Sequence, residues 1–155
     1  MISGTTTLIA HLGYPTYTFK SPLIYNPWFE KNGVDAVVVP MGIKAEGYPD
    51  FFRSVFTLTN IRGALITMPH KVTTMELVDE ISPIAQIAGA TNAVLRRKDG
   101  SLLADQFDGA GFARAPPSAV VPDLFRHLRY RTRRGSRLRA VTRGTSPARR
   151  QDSKP

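Results

Sequence analysis

The chain has 155 residues, enough for one ordinary domain, with 42% hydrophobic residues and a formal net charge of +9. It contains no Cys, which excludes a disulfide framework and thiol chemistry. No stretch approaches the roughly 20 apolar residues of a membrane span, and the opening MISGTTTLIAHLGYP lacks the basic region of a signal peptide, so a cytoplasmic location is the expectation.

The charge is unevenly placed. Residues 1–113 carry nine Lys and Arg against ten Asp and Glu, whereas residues 114–155 carry twelve against two. A nearly neutral body over 1–113 and a basic Arg/Pro-rich tail over 114–155 are therefore read separately.

In chain order, TTLIAHLG (residues 6–13) is a β-rich run that stops at a glycine. In KSPLIYNPWFEKNG, Ser21 is placed as an N-cap, Pro22 as the first helical residue and Gly33 as the stop. Pro27 predicts a kink or a short first segment. DAVVVPM (35–41) reads as a strand buried on both faces. YPDFFRSVFTL (48–58) carries Phe51, Phe52, Val55 and Phe56 at helical spacing, and RGALIT (62–67) is another short buried strand.

Pro69 is placed to open a helix whose apolar face is Val72, Met75, Val78 and Ile81. That puts His70 and Lys71 in its first turn, where the helix dipole disfavours cations. Lysine is therefore incidental there or wanted for a ligand at the strand tip. ISPIAQIAGA repeats the signal, with Ser82 as cap, Pro83 first and Gly89 last. TNAVLRRKDGSLLAD is a hairpin turning at Asp99-Gly100. The sum is an α/β fold, a mostly parallel sheet flanked by helices with one antiparallel hairpin.

Ligands of open α/β sheets bind at the carboxyl ends of the strands. The residues expected there are the Thr16–Ser21 loop, Thr67 with Lys71, Asn92 and the stretch Ala104–Phe112, whose hydroxyl, amide, ammonium and carboxylate groups suit a small polyhydroxylated or carboxylated molecule. His11, His70 and His127 do not have the spacing of a zinc motif. Each candidate also has a structural alternative: Ser21 as a helix cap, Thr67 and Asn92 as turn residues, Lys71 as a solvated charge, Asp108 as a cap. His70 reads as exposed and incidental.

Four segments in order, Gly13-x-Pro15 with Ser21-Pro22 and Asn26, then TMPHK (67–71), AGATNAV (88–94) and DQFDGAGF (105–112), resemble the substrate-binding amino-terminal domain of the shikimate dehydrogenase family. The resemblance covers about residues 5–113. It implies an NADP-dependent oxidoreductase acting on a cyclic hydroxy acid such as shikimate or quinate. Lys71 and Asp108 match the catalytic pair that handles the proton of the substrate hydroxyl while a nicotinamide takes the hydride. Ser21, Thr67 and Asn92 match positions that hold substrate carboxylate or hydroxyl groups. A carboxylate beside an ammonium favours the charged form of each. The chain departs from the family pattern at Phe19, where the first substrate serine is expected, and at His70, Gln106-Phe107 and Ala93. An aminated analogue or another hydroxy acid therefore stays open as substrate.

The family's nucleotide-binding unit, with its glycine-rich strand–helix turn, is not recognisable after Phe112: GAGFAR lacks the third glycine. The tail reads as disordered or as out-of-frame translation, with room for a helix over 123–130. The alternatives are a basic arm for nucleic acid and an extension that docks on another subunit. A truncated, non-catalytic binding fragment is the alternative to an active enzyme.

Overall fold

The computed structural model describes residues 2–114; the expectations for 115–155, the helix over 123–130 included, lie outside the described residues. The strands are β1 (Thr7–Gly13), β2 (Ala36–Gly42), β3 (Ile61–Ile66), β4 (Glu80–Ile81), β5 (Ala93–Arg96) and β6 (Leu102–Asp105). The α-helices are α1 (Ser21–Lys31), α2 (Tyr48–Val55), α3 (Pro83–Ala88) and α4 (Asp108–Arg114). Among the described residues no helix is long and apolar enough to cross a membrane.

The six strands form one sheet in the order β2-β1-β3-β5-β6-β4. β1 pairs in parallel with β2 and β3, and β4 in parallel with β6, while β5 is antiparallel to both of its neighbours. Only β5 runs against the other five strands. The sheet is therefore the mostly parallel one expected, and β5–β6 is the hairpin, with Gly100 at φ +91 in its turn.

Strand alternation decides which side each residue serves. Ala10, Ala64, Val94 and Ala104 are paired in register across four strands and are all buried. Together with Leu12 and Ile66, the first three of these meet Tyr48, Phe52, Val55 and Phe56 of the α2 segment in the main core. The opposite face carries a second register row, His11, Leu65, Ala93 and Asp105. On that side an open apolar hollow of about 420 Å³ lies between the sheet and α1, with Leu65, Trp28 and Phe107 in its lining.

Local signals explain most of the elements. Ser82 Oγ accepts the Ala85 N–H at 3.1 Å, and Gly89 closes α3 at φ +63, as a capped helix with a left-handed terminator requires. Gly63 has no room for a side chain, since a Cβ would stand 2.4 Å from the Val94 carbonyl oxygen.

Four expectations need correction. β2 is an edge strand and half-exposed, not buried on both faces; the edge position also explains how it accommodates Pro40. Ser21 is the first helical residue and Lys20 the cap position, because Leu23 N–H already bonds the Lys20 carbonyl. α1 runs unbroken from Ser21 to Lys31 through Pro27. The segment after Pro69 is no α-helix: it makes turns, one 3-10 turn at Thr73–Glu76 and then β4. Its apolar residues recur every three positions, which is the period of a 3-10 helix rather than the 3.6 of an α-helix. They do not share one buried face either, since Val72 is exposed while Val78 packs on the core.

Candidate functional site

β1, β3 and β6 end, and β5 begins, along one edge of the sheet. A cleft of about 290 Å³ opens there, and Ser21, Thr67, Lys71, Asn92 and Asp108 all line it. All five candidates read from the sequence are thus brought together, from four separate segments of chain.

Three of them are tied to one another. Lys71 Nζ donates to Asp108 Oδ2, forming an ion pair, and Asn92 Nδ2 donates to Asp108 Oδ1. Asn92 also accepts the Phe107 N–H through Oδ1 at 3.0 Å, and the Asp108 N–H donates to Gln106 Oε1 at 3.1 Å. Asn92 is thus both the turn residue and the side chain that orients the carboxylate. Burial works against the charged Asp108, but the hydrogen bonds from Lys71 and Asn92 and the Lys71 charge together outweigh it and hold its pKa below the ordinary carboxylate value. The Asp108 side chain is 58% exposed. Water screens the pair, which adds little to stability; its value lies in presenting an ammonium and a charged carboxylate side by side.

The loop that carries Lys71 is anchored from below by His70, which is 1% exposed and not incidental as expected. The imidazole stacks on the Tyr48 ring with centroids 3.7 Å apart and planes 2° apart. Its Nε2 lies 2.9 Å from the Ile43 carbonyl oxygen, which can only accept, so Nε2 carries the proton. Thr74 Oγ1 donates to the His70 carbonyl at 2.7 Å, so the 2.6 Å contact with Tyr48 Oη has the tyrosine as donor. Burial raises the Tyr48 pKa to about 12, against an opposing pull from Thr74. Burial lowers that of His70, opposed by its bond to Ile43. The Thr91 N–H holds the Lys71 carbonyl at 2.9 Å. Lys71 therefore sits beside Asp108 because its neighbours in the chain are built into the core, not because a helix begins there.

Ser21 and Thr67 complete the lining. Among the described residues neither hydroxyl makes a side-chain hydrogen bond, so both remain available to a ligand. Gly13 permits the close approach of the two walls: a Cβ there would stand 2.3 Å from Thr67 Cγ2 and 3.0 Å from Phe19 Cζ. The Phe19 ring stacks on the His11 imidazole. Both belong to the cleft lining, and His11 is buried with Nδ1 unpartnered among the described residues, an arrangement that costs on the order of 1–3 kcal/mol.

Three contributors escaped the sequence reading. His11 was legible in the period-2 pattern of β1, which sets it on the face opposite Leu8, Ala10 and Leu12. His70 carries no such signal, because its burial depends on Tyr48, 22 positions away. Gln106 bonds an amide two residues on, a local turn pattern that the sequence around it did not disclose. Among the described residues no cluster of His, Cys, Asp and Glu could hold a metal ion.

Residues 12–94, more than half of the chain, match the family model for the shikimate dehydrogenase substrate binding domain. The chain is 38% identical over 120 residues to the NADP(+) shikimate dehydrogenase of Rubrobacter xylanophilus, covering 77% of this chain and 42% of that protein. It is 33% identical over 111 residues to the corresponding enzyme of Paramagnetospirillum magneticum, covering 72% and 40%. The crystal structure of the Listeria monocytogenes enzyme in complex with shikimate and NAD superposes with a TM-score of 0.70 at 32% identity, covering 76% of this chain and 40% of that one. The chain spans about two fifths of the length of the curated relatives it matches. The relatives are NADP(+) enzymes, but the described residues here do not fit a dinucleotide: Gly109 and Gly111 lie inside α4, not in a strand–helix turn. The match to the substrate side, and to that side alone, agrees with the cleft geometry, and the chain belongs to the shikimate dehydrogenase substrate-binding domain family.

Proposed function

We propose that residues 1–113 form the substrate-binding body of a shikimate-dehydrogenase-like oxidoreductase, and that the cleft takes a small cyclic hydroxy acid such as shikimate or quinate. The observation that carries this reading is the convergence, in one polar cleft, of the Lys71–Asp108–Asn92 cluster and the Ser21 and Thr67 hydroxyls, which are unpaired among the described residues. A ring hydroxyl entering beside the pair donates to the Asp108 carboxylate and accepts from the Lys71 ammonium. The pair then holds the proton at that oxygen and can move it in either direction. Asn92 keeps the carboxylate aimed, and Ser21 and Thr67 fix the ring by its other polar substituents.

The relatives named NADP(+) shikimate dehydrogenases support the substrate class. The cleft residues bind and orient the ligand, so the test is one of binding. Thermal unfolding of the 155-residue chain is followed with increasing shikimate or quinate. A saturable rise in Tm, lost in Asp108→Asn and Lys71→Met, is expected. No rise with either ligand, or the same rise in the variants, would contradict the reading.

A further inference from the structure

One part of the cleft lining is aromatic. The Phe19 ring lies on the His11 imidazole with 4.1 Å between centroids and 27° between planes. His11 is 5% exposed, and among the described residues Nδ1 has no hydrogen-bond partner, although buried polar groups nearly always find one. A strand that otherwise reads TLIA-LG could have placed an aliphatic residue here at lower cost. A buried polar group left unsatisfied in this way calls for an explanation, and a ligand oxygen in the cleft supplies one. The charged side chains lining the cleft are Lys20, Lys71 and Asp108, two ammonium groups and one carboxylate, so the balance favours an anionic ligand.

Resting on the proposed cyclic hydroxy acid, we propose that His11 is a specificity-determining residue that reads the ligand's carboxylate. On ligand entry the half-buried Phe19 ring turns off the imidazole, and the Nδ1–H donates to a carboxylate oxygen. His11 thereby supplies the hydrogen bond for which Phe19 has no hydroxyl. The stack keeps the ring shielded until the ligand arrives. Burial disfavours the imidazolium, and a neutral ring in its Nδ1–H tautomer carries the one N–H that the contact needs.

The test compares shikimate with its methyl ester by titration calorimetry on the full chain and on His11→Leu, His11→Gln and Phe19→Ser. The native chain should prefer the acid by about tenfold or more, as a hydrogen bond to a charged group implies. His11→Leu should abolish that preference without lowering the ligand-free Tm, because leucine leaves no unpaired polar atom. His11→Gln, with an amide donor, should restore part of the preference, and Phe19→Ser should keep it. An undiminished preference in His11→Leu overturns the role of His11 while leaving the proposed function intact. If His11→Leu fails to fold, an undiminished preference in a folded His11→Gln overturns it instead. A native chain that binds neither compound overturns the reading of the cleft and this assignment with it.

Discussion

Replacing His70 tests how the cleft is positioned. In His70→Ala the Ile43 carbonyl loses its donor at 2.9 Å and Tyr48 loses a ring stacked at 3.7 Å. A buried acceptor left unpaired costs about 1–3 kcal/mol, and a lost aromatic pair a further 0.5–1.5 kcal/mol or so. Water reaching the carbonyl offsets part of this, which places the expected loss at about 1–4 kcal/mol. His70→Phe keeps a ring against Tyr48 and removes only the hydrogen bond, so its cost should stay near the lower end, about 1–2 kcal/mol. Urea unfolding of both variants, compared with the native chain at unchanged m, reads the two costs separately. The alanine variant should also bind shikimate more weakly, since the backbone of residues 67–72 is no longer held beneath Lys71. A loss below about 1 kcal/mol for His70→Ala, or equal losses for both variants, would refute the argument that the stack and the Ile43 bond anchor this loop.

Other perturbations follow from the same geometry. Gly13→Ala places a Cβ 2.3 Å from Thr67 Cγ2 and 2.8 Å from the Met68 carbonyl oxygen; it should destabilise by about 1–3 kcal/mol in urea unfolding and weaken ligand binding by displacing Thr67. Ser82→Ala removes the α3 cap and a 2.5 Å bond to Asp105; thermal melts should show a loss of about 1 kcal/mol, and no change would count against the cap. Burial lowers the pKa of both His11 and His70 below 6.5. The unfolded chain therefore takes up protons first on acidification, so stability should be full above about pH 6.5 and fall as the pH drops towards the depressed folded values. Asp108 acts in a lower window: its depressed pKa contributes stability that is full above 3.8 and lost as pH falls through the folded value. A Tm that stays flat between pH 8 and 5 would refute the histidine part.

Local chemistry made much of this fold legible in the sequence. Ser82, Pro83 and Gly89 bracket α3 because cap, first turn and left-handed stop are each set by a single residue type, and Asp99-Gly100 marks its hairpin in the same way. The convergence of the five candidate residues was also legible, since strand ends gather at one edge of an α/β sheet. What the sequence did not disclose depends on partners distant along the chain. The run after Pro69 carries apolar residues, yet Thr74 and His70 are drawn into the Tyr48 network and the chain turns instead of coiling. β2 reads as doubly buried because Val37, Val38 and Val39 are all apolar, but only its place at the sheet edge shows which side is covered. Ser21 reads as a cap from its residue type, whereas the Lys20 carbonyl already accepts the Leu23 N–H and the helix starts one residue earlier.

The most direct test of the central claim is an amide chemical-shift titration of the isotope-labelled chain with shikimate. The polar cleft account predicts that the largest shifts fall on Thr67, Lys71, Asn92, Phe107 and Asp108, and that Lys71→Met abolishes them. Shifts centred instead on Ile24, Trp28 and Val38, around the apolar hollow against α1, or no saturable shifts at all, would contradict it.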